Sequence, residues 1–255
     1  MKPRLPAPSA AVDEAVYEAE ALLELEAWRT AMLKGPSPLG RAAQGLQTQI
    51  NRIIPEPVHA AVTRTIELMT RGIVTGADFI TPDPLLDAPL SLREAAVQRR
   101  IGTYRAAAAA EGGVAGAGGF MLAAAEFPTL IATKIKLLFD IAALYGHDGG
   151  RLPERLYLLS IFQLAFSSPD HRHAVLAAMA DWDARAEAHP QSLDAVDWRR
   201  SQQEYRDHID LAQMAQLIPL IGAPVGAVVN YRLLDKLGRT AINAYRMRWF
   251  AKGAA

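Results

Sequence analysis

The sequence has no cysteine in its 255 residues, few aromatic side chains (7%) and no net charge, since 27 Lys and Arg balance 27 Asp and Glu. Each lack excludes a class. Without cysteine there is no disulfide scaffold, no thiolate metal site and no cysteine nucleophile. Without a basic excess there is nothing to displace the counterions of a nucleic acid, so no nucleic-acid partner is expected. Strand-like alternation of apolar and polar residues is also missing, as is any fixed-period repeat. A signal peptide is not expected either. Lys2 and Arg4 are followed by no apolar run, and Asp13 and Glu14 arrive early. The expectation is a cytoplasmic location, with peripheral contact on the inner face of the cell membrane as its extension.

What is present is helix-forming. Hydrophobic residues make up 51% of the chain, with Ala and Leu abundant. Residues 12–34 read as a helix ended by Gly35-Pro36-Ser37-Pro38. Pro55 and Pro57 break the next stretch, and a helix follows to about residue 71. Thr81-Pro82-Asp83-Pro84 is a loop. Ser91-Leu92-Arg93-Glu94 has the form of a capping box, opening a helix to residue 110 that Gly112 and Gly113 then interrupt. Residues 113–125 form a further helix, and Pro128 opens another through residue 145. Gly146-His147-Asp148-Gly149-Gly150 is a tight loop, with Asp148 as turn former. Pro153 and Pro169 suit first-turn positions. Ser192 caps a helix to about residue 217, and Gly238 interrupts the last helix, which ends near Phe250. The prediction is an all-α fold: a single compact multi-helix bundle containing two Gly/Pro-broken apolar segments. Residues 1–11 form a flexible tail and residues 12–250 the domain.

Those two segments are the least ordinary part of the chain. Residues 112–125 carry no charge, nor do residues 211–231. The second stretch matches a bilayer core in length, about 30 Å as one helix, but Gln213, Gln216 and Asn230 dilute it and Pro219 and Pro224 break it. A buried hairpin, or one inserted shallowly in a membrane, fits better than a span. Gly112 and Gly116, Ala115 and Gly119, and Gly222 and Gly226 each stand four apart. On a helix such pairs form flat stripes where another backbone approaches closely. Each glycine costs about 1 kcal/mol of helix propensity relative to alanine, and close packing is the simplest compensation. A phosphate-loop reading fails because no strand precedes the glycines and no Gly-Lys-Ser/Thr follows.

The run of glycines at 112–119, then Glu126-Phe127-Pro128, then Tyr145-Gly146-His147-Asp148, resembles the core signature of the EcsC family. Ile218-Pro219-Leu220-Ile221-Gly222-Ala223-Pro224-Val225-Gly226 with Asn230-Tyr231 resembles its C-terminal signature, and Tyr17-Glu18 with Trp28 its first helix. The resemblance covers most of the chain. Phe127 departs from the leucine expected between the acid and the proline. The resemblance implies an α-helical bacterial protein, often membrane-associated, named after a component encoded beside an ABC-type exporter. It implies no established activity, so the enzyme question stays open.

Candidate residues follow from charge in apolar context. Glu126 ends an uncharged stretch beside Pro128, where a carboxylate is costly unless paired or used. Lys134, Lys136, Arg239, Arg246 and Arg248 are its possible partners, and a helix N-cap is the plainer role. Asn230, Tyr231 and Arg246 complete the candidate set, functional or structural. His171 and His173 stand two apart and cannot share an ion on a helix, so no metal site and no cofactor is expected. Six acids lie within residues 12–28, and six bases against Asp235 within residues 230–255. Both are read as solvated faces that pair across the fold, with anionic lipid as the sharper alternative for the basic one. The leading function is a membrane-associated accessory or binding protein linked to transport or secretion. Its partners would be an anionic membrane surface or a transporter, with a small-molecule or lipid ligand unknown. The alternative is an enzyme acting on a hydrophobic or lipid substrate with Glu126 as acid or base.

Overall fold

The computed structural model describes residues 13–34, 70, 72–73, 83–117, 119–167, 169–192 and 223–253. The side chains of 108–128, 130, 169–170, 223–229 and 253 fall outside that description. So do the expected tail at residues 1–11, the stretch 51–69, the helix expected from Ser192, and Gly222.

Six α-helices are packed together, with no β-strand among the described residues. They are α1 (Glu14–Leu33), α2 (Leu90–Ala117), α3 (Gly119–Leu144), α4 (Leu152–Phe166), α5 (Pro169–Met179) and α6 (Ala223–Gly253), with a 3-10 turn at Ala186–Ala188. Asp13 starts α1, its Oδ1 accepting from the Ala15 and Val16 amides. Pro153 lies in the first turn of α4, as its fixed φ favours. Eleven of the fifteen α4 residues are buried, so this helix is wrapped on all sides rather than along one stripe. Its Leu158, Phe162 and Phe166 meet Leu137, Leu138 and Phe139 of α3 and Leu237, Ala241 and Tyr245 of α6 in one core.

Four local expectations are corrected. The helix expected to stop at residue 110 runs on through Gly112, Gly113 and Gly116 to Ala117. Helical hydrogen bonding propagates at modest cost per glycine once neighbours hold the helix, so the glycines do not end it. Pro128 does not open a helix but sits inside α3, and Glu126 is inside it too, which removes the N-cap role. Gly238 does not interrupt α6. A Cβ there would stand 2.7 Å from Cδ1 of Ile101, so glycine serves the close approach of α2 and α6. Ser91 and Glu94 form no capping box. The Ser91 amide and hydroxyl both donate to Glu14 of α1, and Glu94 turns into the core.

The long helices set the architecture. At 28, 26 and 31 residues, α2, α3 and α6 span about 40–46 Å. Helices α2 and α6 are antiparallel: Glu94 meets Arg246, Ile101 faces Gly238, and Arg105 meets Asp235. Helix α3 runs parallel to α6, with Lys134 on Asn230 and Tyr145 on Tyr245. The bundle therefore has two different ends. One carries the end of α2, the start of α3 and the start of α6, which hold the described glycines of both segments, Gly112, Gly113, Gly116, Gly119 and Gly226. The other gathers residues 83–94, 145–154, 182–191 and the C-terminal turns of α6.

Candidate functional site

The second end is polar and tightly connected. Arg246 and Arg248 stand two apart on α6, about 200° around the helix, so they leave it on opposite sides. Arg246 reaches α2 and grips Glu94 with two parallel bonds of 2.7 Å, while its Nη1 takes Glu24 of α1 at 2.7 Å. Arg248 reaches α4 and donates to Glu154 at 2.7 Å, and also holds Asp183 through Nε and Nη2. Glu94, Glu154 and both arginines are buried. Burying such pairs costs several kcal/mol per ion, repaid only when every lone pair is engaged.

Here they are engaged. Glu94 also accepts the hydroxyls of Tyr17 (2.7 Å) and Tyr145 (2.9 Å), and Glu154 that of Tyr245 (2.6 Å). Tyr145 and Tyr245 stack with centroids 5.0 Å apart, joining the two clusters. Burial, then the adjacent carboxylates, push both phenols well above their ordinary pKa, so they remain donors. Burial alone would lower Arg246, but its bonds to Glu94 raise it instead. With four donors on Glu94 and four carboxylates divided between two arginines, these groups form a rigid clasp rather than a store of acids and bases.

Around this clasp the chain turns at Tyr145-Gly146-His147. The Gly146 amide donates to Ala143 and the His147 amide to Ala142, the pattern that ends a helix with a left-handed residue. Gly146 has φ 86°, and a Cβ there would lie 2.9 Å from both Nη1 of Arg93 and the Leu85 carbonyl. Asp148 is the turn former expected, its Oδ1 accepting from the Gly150 amide. His147 lies 3.5 Å from Glu154 through Nδ1 and against the ring of Tyr245. Burial, then the charges of Arg248 and Lys252, push its pKa down to about 3, against a weaker pull from Asp183. The imidazole is therefore neutral, and its approach to Glu154 is not an ion pair.

His147 separates two lobes of a cleft. The larger, about 440 Å³, is bounded by Pro84, Trp182, Asp183, His189 and Arg248, with Trp182 stacked on His189 at 3.9 Å. The smaller, about 240 Å³, is bounded by Arg93, Asp87, Tyr145, Trp249 and Lys252. Among the described residues no group of three or more His, Asp or Glu is placed to hold a metal ion. His173 bonds instead to the Leu33 carbonyl.

Of the candidates read from sequence, Arg246 alone belongs to this clasp. Asn230 is buried farther along the bundle, accepting from Lys134 at 2.7 Å. Tyr231 is exposed, with Arg105 4.2 Å above its ring. Glu126 and Pro128 have helical backbone positions in α3, and their side chains are not described. Its other proposed partners are placed elsewhere: Lys136 on Asp140, Arg239 on Asp235, Arg248 on Glu154. Gly112, Gly116, Gly119 and Gly226 lie within helices near the other end. Sequence reasoning missed Glu94, Glu154, Asp183 and Arg93. The available signal was Arg-x-Arg among Tyr245, Met247 and Trp249, two charges in an otherwise core-like run.

Comparison with known proteins agrees with the signatures. The chain is 38% identical over 222 residues to Protein EcsC of Bacillus subtilis (strain 168), covering 87% of this chain and 91% of that protein. It is 22% identical over 219 residues to the uncharacterized protein YdbA of the same organism, covering 78% and 80%. No solved structure matches. The model of the EcsC protein family matches residues 19–250, and the chain belongs to that family.

Proposed function

We propose that the protein is an accessory binding protein seated peripherally on the inner face of a membrane, dipping the α2–α3 hairpin tip into one leaflet. The observation that supports this is the position of the uncharged residues 112–125. Their described part is the end of one helix of about 40 Å and the start of the next, at the end of the bundle away from the clasp. Each arm of that tip is six or seven residues, about 10 Å, which suits the headgroup boundary rather than a crossing. No helix among the described residues is long and apolar enough to cross a membrane. The antiparallel register of α2 and α6 brings the uncharged start of α6 beside the same tip. An anionic lipid surface is the first partner this suggests. A transporter is the second, drawn from the family's association with an exporter.

The test is flotation with vesicles containing phosphatidylglycerol, using the wild type and a Val114→Asp/Phe120→Asp double variant. The wild type should float and the variant should stay in the dense fraction with its helical circular dichroism retained. A wild type that does not float, or a folded variant that floats equally well, would refute the reading.

A further inference from the structure

The Tyr145-Gly146-His147-Asp148 motif lies at the end of the molecule remote from the hairpin tip, and membrane seating gives it no task. Its surroundings hold an unusual cation. Arg93 is 6% exposed, and no carboxylate among the described residues hydrogen-bonds to it. Its Nε donates to the Ala88 carbonyl (2.7 Å), and its Nη1 to the carbonyls of Leu85 (2.6 Å) and Leu144 (3.1 Å). Trp249 lies 5.3 Å from the guanidinium centre. Nη2 makes no hydrogen bond to a described residue, and Arg93 borders the smaller lobe of the cleft. Burial works against the charge of Arg93, and Asp87, the carboxylate that offsets it, stands on the exposed rim; the guanidinium's own hydrogen bonds go only to neutral carbonyls beside an open space, which is costly without an anion. Gly146 is what lets the turn approach it so closely.

We propose that the smaller lobe is an anion site for a phosphate group, held by Arg93, His147 and Lys252. Its volume of about 240 Å³ admits phosphate with room for a short substituent. Lys252 is 60% exposed and borders the same lobe, its ammonium in a long ion pair of 3.8 Å with Asp183. The groups facing His147 are Arg93, Arg248 and Lys252 against Glu154 and Asp183. The cations prevail there, which is the field an anion seeks. Asp87, on the exposed rim, is the acid that opposes entry and would favour bound states in which the anion lies deeper, toward Arg93. The phosphate could belong to a soluble molecule or to a lipid headgroup. With the hairpin tip in a leaflet, the cleft stands about 35 Å along α6 from that surface, so the soluble source is the one we assign. The site itself does not depend on the membrane reading.

The probe is inorganic phosphate, titrated into the full chain against chloride at matched ionic strength. The readout is the His147 ring signal in proton NMR, assigned with His147→Gln. Saturable shifts are expected, with the His147 pKa rising by about one unit as the bound anion favours the imidazolium. Lys252→Ala should weaken phosphate about threefold without altering the fold. No saturable response, or unchanged affinity in Lys252→Ala together with an unmoved His147 pKa, would overturn the site. In a second arm, phosphatidic acid vesicles replace phosphate. If they shift His147 and free phosphate displaces the protein from them, the soluble source is wrong. The Val114→Asp/Phe120→Asp variant should still bind phosphate, so loss of flotation and loss of the anion site are read separately.

Discussion

Glu94 is the residue on which most of the polar end converges. It joins α2 to α6 through Arg246, to α1 through Tyr17, and to the end of α3 through Tyr145. Glu94→Gln removes the charge and leaves Arg246 with Glu24 alone, a carboxylate 70% exposed. Breaking one partner of a buried pair typically costs about 3–5 kcal/mol. We expect a loss of that size in urea unfolding, and part of it recovered when Glu94→Leu is combined with Arg246→Met, which removes both charges. His147 gives the pH signature. Its folded pKa near 3 lies below the ordinary 6.5, so the unfolded chain binds the extra proton first as pH falls. Stability is thus fully present above pH 6.5 and declines below it, by at most about 3 kcal/mol on reaching about pH 4. Asp183, held down by Arg248 despite its burial, adds its loss only below its ordinary 3.8. His147→Gln should flatten the decline between pH 6.5 and about 4 in chemical denaturation, and an unchanged slope would contradict the assignment.

At the scale of elements, helix type was legible in the sequence and helix boundaries were not. Pro153 and Pro169 marked true starts because the fixed φ of proline is local chemistry. Ser91 and Glu94 had the same local look, yet tertiary partners claimed both side chains. The glycines at 112, 113 and 238 looked like stops because propensity was weighed without neighbours. Gly238 shows what reverses it, for a methyl there would press on Ile101, which is itself buried. Gly238→Ala gains about 1 kcal/mol of propensity but should lose about 1–3 kcal/mol to overpacking. We expect a net lower melting temperature, restored toward wild type when Ile101→Val removes the clashing Cδ1. A single Gly238→Ala variant more stable than wild type would show that the helices have room to part. Buried charges were the least legible feature. Arg246 and Arg248 gave no period, since they serve opposite faces of α6, and their partners lie 152 and 94 residues away.

For the whole molecule, the fold separates two kinds of surface by the length of its helices. The clasp fixes α1, α2, α4 and α6 to one another at one end, beside the end of α3, and frames the cleft. The uncharged hairpin lies at the other end. That division was half visible in the sequence, where residues 112–125 stand out by composition, but only the antiparallel register of α2 and α6 sets the cleft far from them. The absence of cysteine allows the division to be read directly. A single cysteine placed at Ala117, the last residue of α2, or at Leu86, which is 66% exposed at the cleft rim, would carry a polarity-sensitive fluorophore. On adding phosphatidylglycerol vesicles, the label at 117 should shift to the blue and become accessible to lipid-borne quenchers, while the label at 86 should stay as in buffer. A blue shift at 86 with none at 117 would contradict the account, as would an unchanged spectrum at both.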